Sequence, residues 1–525
     1  MAVGLLRGGR ALPGDAVNEL ELALGPIAHG GHTVARHEGR VVFVRHGIPG
    51  ERVRVRVTEA GPTASFWRAD VVAVLEASGD RRPHPWPEAD ALAAADAGTV
   101  PVGGAEFGHI APARQRRLKR EVLAEQVHRL AGLDAPDLPE PAVEAVPDED
   151  PAGLHWRTRV TFDVTADGRV GMHPHRSDAV LPVATMPLAV PAVDALGLAR
   201  VDLTGVARVE VAVPSGPDGR GGRPLLTLFP ATSELDDGDG AVTFGPVERG
   251  GTARAGVDRA GVDEAGVDHA ALRRIAAAVP GASVCWLGPV THRVHALRGE
   301  PWVTERVGER RYRVTGDGFW QVHRRAPDVL AAAVRDALGP VDGLTVHDLY
   351  AGAGLFSGLL AAAGAAVTSV EAARGASADA ALNLADLPAV TVRHGDVARY
   401  LGGPPAGGRG RPGGNRRTRG PRQGRAGGGQ RRGDDRRPDA LAIPGPADVV
   451  VVDPPRVGLD RRVTDRLIAV PPARLAYVSC DPASFARDLG RFRTAGWQVH
   501  TVRAFDLYPN THHLESFALL TPPRR

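Results

Sequence analysis

The last third of the chain alternates apolar runs of strand length with helical stretches, and this rhythm restricts the fold more than any other feature of the sequence. Apolar runs predict strands at residues 344–349, 366–372, 389–393, 447–453, 475–479 and 497–503, with a last strand at the edge of the sheet at 514–520. Strands that alternate with helices form a parallel sheet with helices on both faces. We therefore predict a Rossmann-like, doubly wound domain over residues 316–525.

The rest of the chain divides into further units. A length of 525 residues corresponds to about three or four domains of roughly 150 residues. Short apolar runs separated by glycine-containing turns at 18–77 predict an OB-like β-barrel, preceded by an N-terminal extension at 1–17. Residues 78–315 predict a mostly β central domain, in which a five-residue unit repeated three times marks a variable insertion at 255–269. We expect a multidomain α/β protein.

Composition excludes several classes of protein. Hydrophobic residues make up 43% of the chain and charged residues 24%, which is typical of globular proteins and excludes wholesale disorder or a fibrous repeat. The longest strongly apolar stretch, 359–367, is much shorter than the roughly 20 residues of a membrane span. The N-terminus lacks the apolar region of a signal peptide. We expect a cytoplasmic monomer without membrane association.

Basic residues are unevenly distributed. The net charge is only +3, but residues 402–438 contain eleven Arg and two Asp. This Gly/Arg-rich insertion predicts a disordered loop, which is either passive or contacts RNA through its arginines. Arg52, Arg54 and Arg56 share one strand face of the predicted barrel, as a solvated face or as an RNA contact. Of the 64 basic residues only Lys119 is lysine; coding bias explains this preference, and we give it little functional weight.

A glycine-rich turn and an acidic residue predict a nucleoside-containing cofactor. Gly352 and Gly354 in DLYAGAG allow a ligand close to the backbone at the carboxyl end of a strand. Glu371 ends the next strand, where an acidic side chain accepts hydrogen bonds from ribose hydroxyls. Because Ser357 replaces the third glycine of GxGxxG, S-adenosylmethionine is favoured over a dinucleotide. Asp396 either contacts the adenine amino group or is a plain turn residue.

Two further strand ends carry reactive or shaping residues. Asp453 precedes two prolines, which give a rigid loop suited to the floor of a pocket. Cys480 follows the strand 475–479 and precedes a helix, whose N-terminus is expected to favour a nucleophilic thiolate. An inert buried thiol is the alternative reading, and it is the expected one for Cys285 in the apolar strand ASVCWLG. Two cysteines exclude a disulfide framework and a four-thiolate metal site, and no metal is expected.

Six motifs, taken in chain order, resemble those of the TRAM-domain RNA uracil-5-methyltransferase family. They are FWQVH at 319–323, DLYAGAG at 348–354, VEA at 370–372, VVDPPR at 451–456, SCDP at 479–482 and THHLESFALL at 511–520. The N-terminal barrel is similar to the family's RNA-binding TRAM domain. The central part of the chain matches only loosely.

The resemblance implies an enzyme that transfers a methyl group from S-adenosylmethionine to carbon 5 of a uridine in RNA. It makes Cys480 the nucleophile that adds to carbon 6, and Glu515 the base that removes the carbon 5 proton. The cofactor would be held by Gln321, Tyr350, Glu371 and Asp453.

The RNA substrate is less closely defined. Family resemblance favours 23S ribosomal RNA over transfer RNA, and a loop or flipped uridine is expected because stacking hides carbon 6. A transfer RNA enzyme and a catalytically silent RNA-binding factor are the alternatives. RNA cytosine-5 enzymes place a cysteine after the DPP-type motif, where this chain has Arg456, so that reaction is disfavoured.

The chain departs from the family at several positions. Many relatives bind an iron-sulfur cluster through four cysteines, where we align non-cysteine residues, and no such cluster is expected. The aligned residues are Trp86, Val102, Ala105 and Met186. Asp481 and His323 each replace a common Asn, and Leu355 occupies a position that is often polar. These changes weaken the substrate assignment more than the reaction type.

Overall fold

A computed structural model describes residues 19–61, 64–133, 142–215, 222–231, 266–402 and 447–524. Over these residues the chain forms three large sheets and a separate β-hairpin. The first sheet is N-terminal, the second is central, and the third is a mainly parallel sheet flanked by helices. The predicted multidomain α/β fold class is confirmed.

The N-terminal unit is a six-stranded sheet in the order β1-β5-β6-β4-β3-β2. Alternation along β5 buries Val53 and Val55 in an apolar core and directs Arg52, Arg54 and Arg56 outward. The strands are β1 (Glu19–Ala23), β2 (Ile27–Ala28), β3 (His32–His37), β4 (Arg40–Arg45), β5 (Arg52–Glu59) and β6 (Phe66–Glu76).

The outward arginines of β5 meet carboxylates on the neighbouring strands. Arg52 lies 2.9 Å from Glu21, and Arg54 lies 3.4 Å from the same carboxylate. Arg56 lies 3.6 Å from Glu19. Because these carboxylates offset most of the arginine charge, the face favours the solvated reading over a phosphate contact.

The segment after the barrel supplies the central sheet, in the order β10-β9-β8-β11-β12-β13-β14, and the hairpin β15-β16. Its elements are α1 (Ala91–Asp96), α2 (Pro112–Gln126), β7 (Val143–Glu144), β8 (Arg159–Val164), β9 (Val170–Met172), β10 (Leu181–Pro182), α3 (Pro191–Asp194), β11 (Val206–Ala212), β12 (Leu225–Pro230), α4 (His269–Ala278), β13 (Ser283–Leu287), β14 (Val294–Arg298), β15 (Trp302–Val307) and β16 (Arg310–Thr315). The predicted mostly β character of this unit is confirmed.

One part of this segment packs with the C-terminal sheet. Leu123 at the end of α2 shares a core with Tyr477 and Phe485 of the C-terminal unit, and β7 pairs with a C-terminal strand through Val143 and Glu144. The predicted domain bounds at residues 78 and 316 stay a prediction. Both α2 and β7 lie between these bounds in sequence, but they pack with the C-terminal unit.

The C-terminal sheet has the order β19-β18-β17-β20-β21-β23-β22-β7. Its elements are α5 (Ala326–Leu338), β17 (Thr345–Leu349), α6 (Leu355–Ala362), β18 (Ala366–Glu371), α7 (Arg374–Asn383), β19 (Val390–His394), α8 (Val397–Tyr400), β20 (Val449–Val452), α9 (Arg461–Ala469), β21 (Arg474–Ser479), α10 (Pro482–Thr494), β22 (Gln498–Phe505) and β23 (Glu515–Thr521). The five strands from β19 to β21 are parallel.

The last strand is not at the edge of this sheet, where the sequence placed it. β23 lies between β21 and β22 and runs antiparallel to both. The edge prediction was wrong because the chain turns back after β22, so that β23 pairs with both β21 and β22, and β22 and β7 lie outside it. Because β23 runs antiparallel to β21, the first residues of β23 lie beside the carboxyl ends of the parallel strands.

The predicted insertions fall largely outside the described residues. Residues 1–17 and 403–438 lie there entirely, and so do residues 255–265 of the repeat. The end of the repeat is described: Asp268 caps α4 by accepting hydrogen bonds from the Ala270 and Ala271 amides. No helix in the part of the chain that the structure describes is long and apolar enough to cross a membrane.

Candidate active site

The predicted site residues lie at one end of the C-terminal sheet, where its parallel strands have their carboxyl ends. Glu371 ends β18, Gly352 follows β17, and Asp453 follows β20. Cys480 follows β21, and Glu515 begins β23. Ser479 is paired with Ser516, so Cys480 and Glu515 are the next residues along two adjacent antiparallel strands. The sheet therefore brings the predicted nucleophile and base together beside the predicted cofactor residues.

The turn after β17 leaves open space next to the backbone. Tyr350, Gly352 and Gly354 have φ angles of 64°, 56° and 94°, all in the left-handed region. A Cβ added to Gly352 meets no atom within 4 Å, whereas one on Gly354 comes within 2.9 Å of Leu384 Cδ1. Gly352 therefore borders a cradle that a ligand can approach, and Gly354 allows close packing of α6.

Backbone amides fix the carboxylate of Glu371 beside this turn. Its Oε2 accepts a hydrogen bond from Gly352 N at 2.9 Å, and its Oε1 accepts one from Ala373 N at 2.6 Å. A carboxylate has about four acceptor positions, so it retains capacity for ribose hydroxyls. Asp396 is exposed and caps α8 by accepting from Arg399 N at 2.9 Å. This cap accounts for one oxygen and leaves both readings of Asp396 open.

A hydrogen bond between Gln321 and Asp453 connects the FWQVH motif with the DPP motif, although the two residues are 132 positions apart in the chain. Gln321 Nε2 donates to Asp453 Oδ2 at 3.2 Å. Burial raises the pKa of Asp453 to about 7, and the hydrogen bond from Gln321 opposes this shift. A second carboxyl, Asp348, has its pKa raised to about 7 by burial while it accepts a hydrogen bond from Ser357 at 2.6 Å. This end of the sheet thus favours neutral carboxyls or a bound cation.

These features fit S-adenosylmethionine. The cradle beside Gly352 suits a bulky nucleoside, Glu371 suits its ribose, and Asp453 suits a positively charged group. Tyr350 is partly buried next to this turn. The assignment of these residues and of Gln321, Gly354 and Asp396 to the cofactor stays a prediction.

The thiol of Cys480 is not activated in the way the sequence indicated. Burial, followed by the negative charges of Glu515 and Asp453, raises its pKa to about 12, and Arg456 opposes this shift. The N-terminus of α10 does not offset this, because Asp481 caps it by accepting from Ser484 N at 2.7 Å. The raised pKa favours the thiol form of Cys480 and does not support the expected helix-stabilised thiolate, whereas the role of Cys480 as nucleophile stays a prediction.

Glu515 is fully buried and has a partner that sequence analysis missed. Tyr508 donates its hydroxyl hydrogen to Glu515 Oε2 at 2.9 Å. Burial, followed by the negative charge of Asp453, raises the pKa of Glu515 well above its usual range. No motif identified Tyr508, since it lies in a loop seven residues before Glu515. The raised pKa favours the protonated carboxyl, so action as a general base needs a nearby positive charge, such as that of Arg456, to favour the carboxylate.

A cavity of about 140 Å³ opens beside Cys480. Its walls come from the β2–β3 turn of the barrel, from α2, and from loops that follow β20, β21 and β22. The lining residues include His29, Gly31, Lys119, Arg456, Cys480 and His513. The barrel therefore contributes directly to the pocket that contains the predicted nucleophile, which sequence analysis did not predict.

The other cysteine lies elsewhere in a core environment. Cys285 is fully buried in β13, 3.4 Å from Thr227 Oγ1, and burial raises its pKa to about 12. The four residues aligned with cluster-binding cysteines are likewise buried, and they share one hydrophobic core. They are Trp86, Val102, Ala105 and Met186. Within the described ranges, no group of three or more His, Cys, Asp or Glu side chains is arranged to hold a metal ion.

Comparison with known proteins assigns the two ends of the chain. A family model described as tRNA (Uracil-5-)-methyltransferase matches residues 446–522, and the TRAM domain model matches residues 18–72. An uncharacterized RNA methyltransferase of Streptomyces coelicolor is 38% identical over 96% of this chain and 93% of its own length. The chain belongs to the TRAM-domain RNA (uracil-5-)-methyltransferase family.

Other relatives of this family have similar lengths. Uncharacterized RNA methyltransferases of Streptomyces avermitilis and Bifidobacterium longum are 37% and 31% identical, and cover 96% and 98% of the chain and 98% and 99% of their own lengths. The crystal structure of Pyrococcus abyssi tRNA (uracil-54, C5)-methyltransferase in complex with S-adenosyl-L-homocysteine aligns with a TM-score of 0.60 and 16% identity. The alignment covers 96% of this chain and all of that chain. This likeness confirms the fold of the family over nearly the whole molecule.

Proposed function

We propose that this methyltransferase transfers a methyl group from S-adenosylmethionine to carbon 5 of a uridine in RNA, through a covalent bond between Cys480 and carbon 6. The observation that carries the proposal is the pairing of adjacent strands, which sets Cys480 beside Glu515 at the edge of the sheet. The cavity next to Cys480 provides the place for the target base. The Gly352 turn, Glu371 and Asp453 lie at the same end of the sheet and would hold the cofactor.

The chemistry begins at the sulfur of Cys480. The thiol loses its proton to the solvent, Glu515 stays unprotonated for the last step, and the sulfur forms a bond to carbon 6 of the uracil. The electron pair of the carbon 5–carbon 6 double bond moves onto the ring as an enolate, which makes carbon 5 nucleophilic. S-adenosylmethionine would supply an electrophilic methyl group: carbon 5 bonds to the methyl carbon as the bond from that carbon to the sulfonium sulfur breaks, which leaves S-adenosylhomocysteine.

Glu515 completes the reaction by removing the proton that remains on carbon 5. The electrons of that carbon–hydrogen bond restore the double bond, and the bond between carbon 6 and Cys480 breaks. One proton from carbon 5 is released per turnover, and Cys480 regains its own. Tyr508 orients the carboxylate of Glu515 through its hydroxyl. Without Glu515 the covalent adduct has no route to product and accumulates.

Arg456 favours the attacking form of Cys480. It is the cation that lowers the pKa of both Cys480 and Glu515, and it lines the cavity. Once the base fills the cavity, water is excluded and this attraction acts in a lower dielectric, where it is stronger. The same residue distinguishes this reaction from the cytosine-5 type, which would place a cysteine after the DPP motif.

The target is a uridine that can leave its stack. The pocket lies between the TRAM barrel and the catalytic sheet, so a flipped base enters it while the barrel contacts the adjoining RNA. Ribosomal RNA remains the favoured substrate on family resemblance, with transfer RNA as the alternative. Cytoplasmic location and action as a monomer are parts of the same proposal.

The direct test follows tritium from methyl-labelled S-adenosylmethionine into RNA. Unmodified 23S ribosomal RNA and transfer RNA transcripts are assayed side by side, and the product nucleoside is identified as 5-methyluridine. Cys480→Ala should abolish transfer while it binds the cofactor normally, and the matched variant Cys285→Ala should remain active. Full turnover by Cys480→Ala would overturn the mechanism. Failure of the wild-type protein to label either RNA would support the silent RNA-binding alternative.

A further inference from the structure

Lys119 is the only lysine among 64 basic residues, and it lines the cavity beside Cys480. The Lys119 side chain is buried, with an exposed fraction of 2%. A coding preference for arginine acts on every basic position alike, so it does not explain why this one position has lysine. Lysine and arginine differ in shape: lysine carries a compact ammonium with three donors, and arginine a wide planar fork. A position that keeps lysine in this chain is therefore one where the ammonium itself is needed.

The ammonium of Lys119 holds the loop between β22 and β23. Its Nζ lies 2.5 Å from Asp506 Oδ1 in an ion pair from which solvent is almost fully excluded, and it donates to the carbonyl oxygen of Tyr508 at 2.9 Å. One turn earlier on α2, Gln115 exchanges hydrogen bonds with Asn510 at 2.9 and 2.8 Å. Residues four apart on one helix face thus fix this loop at two points.

The same loop carries the hydroxyl that contacts the base. Tyr508 accepts from Lys119 through its carbonyl oxygen and donates through its hydroxyl to Glu515 Oε2 at 2.9 Å. The backbone of Tyr508 is thereby fixed at one end, and its ring spans the distance to the carboxyl. A shift in the Lys119 contact is passed through one residue to Glu515.

We propose that Lys119 is a positioning residue for the removal of the carbon 5 proton: it fixes the Asp506–Tyr508 turn and so orients Tyr508 on Glu515. The inference rests on the proposed function. It concerns only the last step, in which Glu515 takes the carbon 5 proton, the double bond is restored and the Cys480 sulfur leaves. Bond formation at carbon 6 and methylation of carbon 5 do not use Glu515 as the base, so they depend on Lys119 only through its place in the cavity wall.

The test is to compare the methylation of carbon 5 with release from Cys480 in single-turnover reactions on RNA. In Lys119→Arg, release of product RNA should slow at least tenfold more than methyl incorporation does. A covalent protein–RNA adduct that survives denaturing electrophoresis should therefore accumulate. Tyr508→Phe should produce the same adduct. The exposed position Arg117, on the same helix, provides the matched control, and Arg117→Lys should release product normally.

A folding control keeps the experiment decisive. If Lys119→Arg lowers the melting temperature strongly, the neutral pair Lys119→Met with Asp506→Asn removes both buried charges together and is assayed in the same way. The inference is overturned if a folded variant releases product at the wild-type rate, or if it loses methylation and release equally. Because Glu515→Gln is run in parallel, a lack of adduct in that variant would count against the proposed function itself.

Discussion

His29 Nε2 of the barrel lies 3.0 Å from Oδ2 of Asp481, the residue that follows the proposed nucleophile. The other oxygen of Asp481 caps α10 through Ser484 N. The carboxylate of Asp481 thus connects the N-terminal barrel to α10, the helix that begins two residues after Cys480 in the chain. Gly31, two residues after His29, makes this approach possible, because a Cβ there would lie 2.7 Å from His512 Cβ.

Loss of the His29 contact should slow catalysis more than it weakens folding. In His29→Ala the turn that contains Asp481 loses its support from the barrel, and a small displacement of a reacting group costs roughly ten- to a hundredfold in rate. We expect kcat at saturating RNA to fall about tenfold with little change in the melting temperature. Single-turnover methylation and thermal unfolding measure the two effects.

The control for this variant is His500→Ala. His500 is also exposed and also makes one side-chain contact, to Thr521 Oγ1 at 2.7 Å, but it lies at the opposite end of the sheet. An equal loss of rate in both variants, or none in His29→Ala, would contradict the coupling. Asp481→Asn should keep most activity, since an amide oxygen can cap α10 in the same way.

The two glycines of the turn after β17 should respond differently to substitution. Gly352→Val places a side chain in open space beside the proposed cofactor, so the Kd for S-adenosylmethionine should rise at least tenfold. The positive φ of 56° adds about 1–2 kcal/mol of strain. Gly354→Ala forces a contact with Leu384 and should mainly lower the melting temperature. Calorimetry measures the binding of S-adenosylmethionine, and thermal unfolding measures the stability. The interpretation is contradicted if Gly352→Val mainly lowers the melting temperature and Gly354→Ala mainly weakens binding.

Asp453 should release a proton when the cofactor binds. Burial raises the pKa of Asp453 from 3.8 to about 7, so a fraction of this carboxyl is protonated near neutral pH in the free protein. A nearby positive charge lowers the pKa of a carboxyl, so S-adenosylmethionine should displace a proton between about pH 6 and 8. The neutral sulfur of S-adenosylhomocysteine should displace fewer.

Titration calorimetry in buffers of different ionisation enthalpy measures this proton count. The difference between the two ligands should shrink in Asp453→Asn, which has no carboxyl to titrate. Equal proton release by both ligands in the wild-type protein would contradict the placement of Asp453 next to the cofactor's cationic centre.

Glu515→Gln should stop the reaction after methylation. The amide cannot accept the carbon 5 proton, so the methylated RNA stays bonded to Cys480. Turnover should fall by about 10²- to 10⁴-fold, the usual contribution of a general base. Denaturing electrophoresis of labelled RNA should show a stable protein–RNA band, which the exposed control Glu309→Gln should not form. A band absent from Glu515→Gln would exclude Glu515 as this base.

The sequence predicted the architecture because its signals are local. Alternating apolar runs identified the strands from β17 to β22, and the order of the motifs placed Gly352, Asp453 and Cys480 at strand ends. The position of β23 was wrong because it depends on pairing with both β21 and β22, which the apolar pattern of β23 itself does not reveal. Pairings between distant segments cannot be read from periodicity.

The electrostatics of the site were predicted less well for the same reason. The pKa of Cys480 depends on Glu515, Asp453 and Arg456, which come from other parts of the chain, and on the capping of α10 by Asp481. Tyr508 lies in a loop without a motif. Lys119 did carry a sequence signal, since it is the single lysine, but its meaning becomes clear only from its buried contacts with Asp506 and Tyr508.

The covalent bond to Cys480 is the central claim, and RNA that contains 5-fluorouridine tests it most directly. Fluorine on carbon 5 cannot be removed as a proton, so the reaction should halt as a stable conjugate in the presence of S-adenosylmethionine. Mass spectrometry of the digested conjugate should find one nucleotide and one methyl group attached to Cys480, and none in Cys480→Ala. The proposed mechanism is contradicted if methyl transfer proceeds on uridine RNA but the fluorinated RNA yields no conjugate at Cys480.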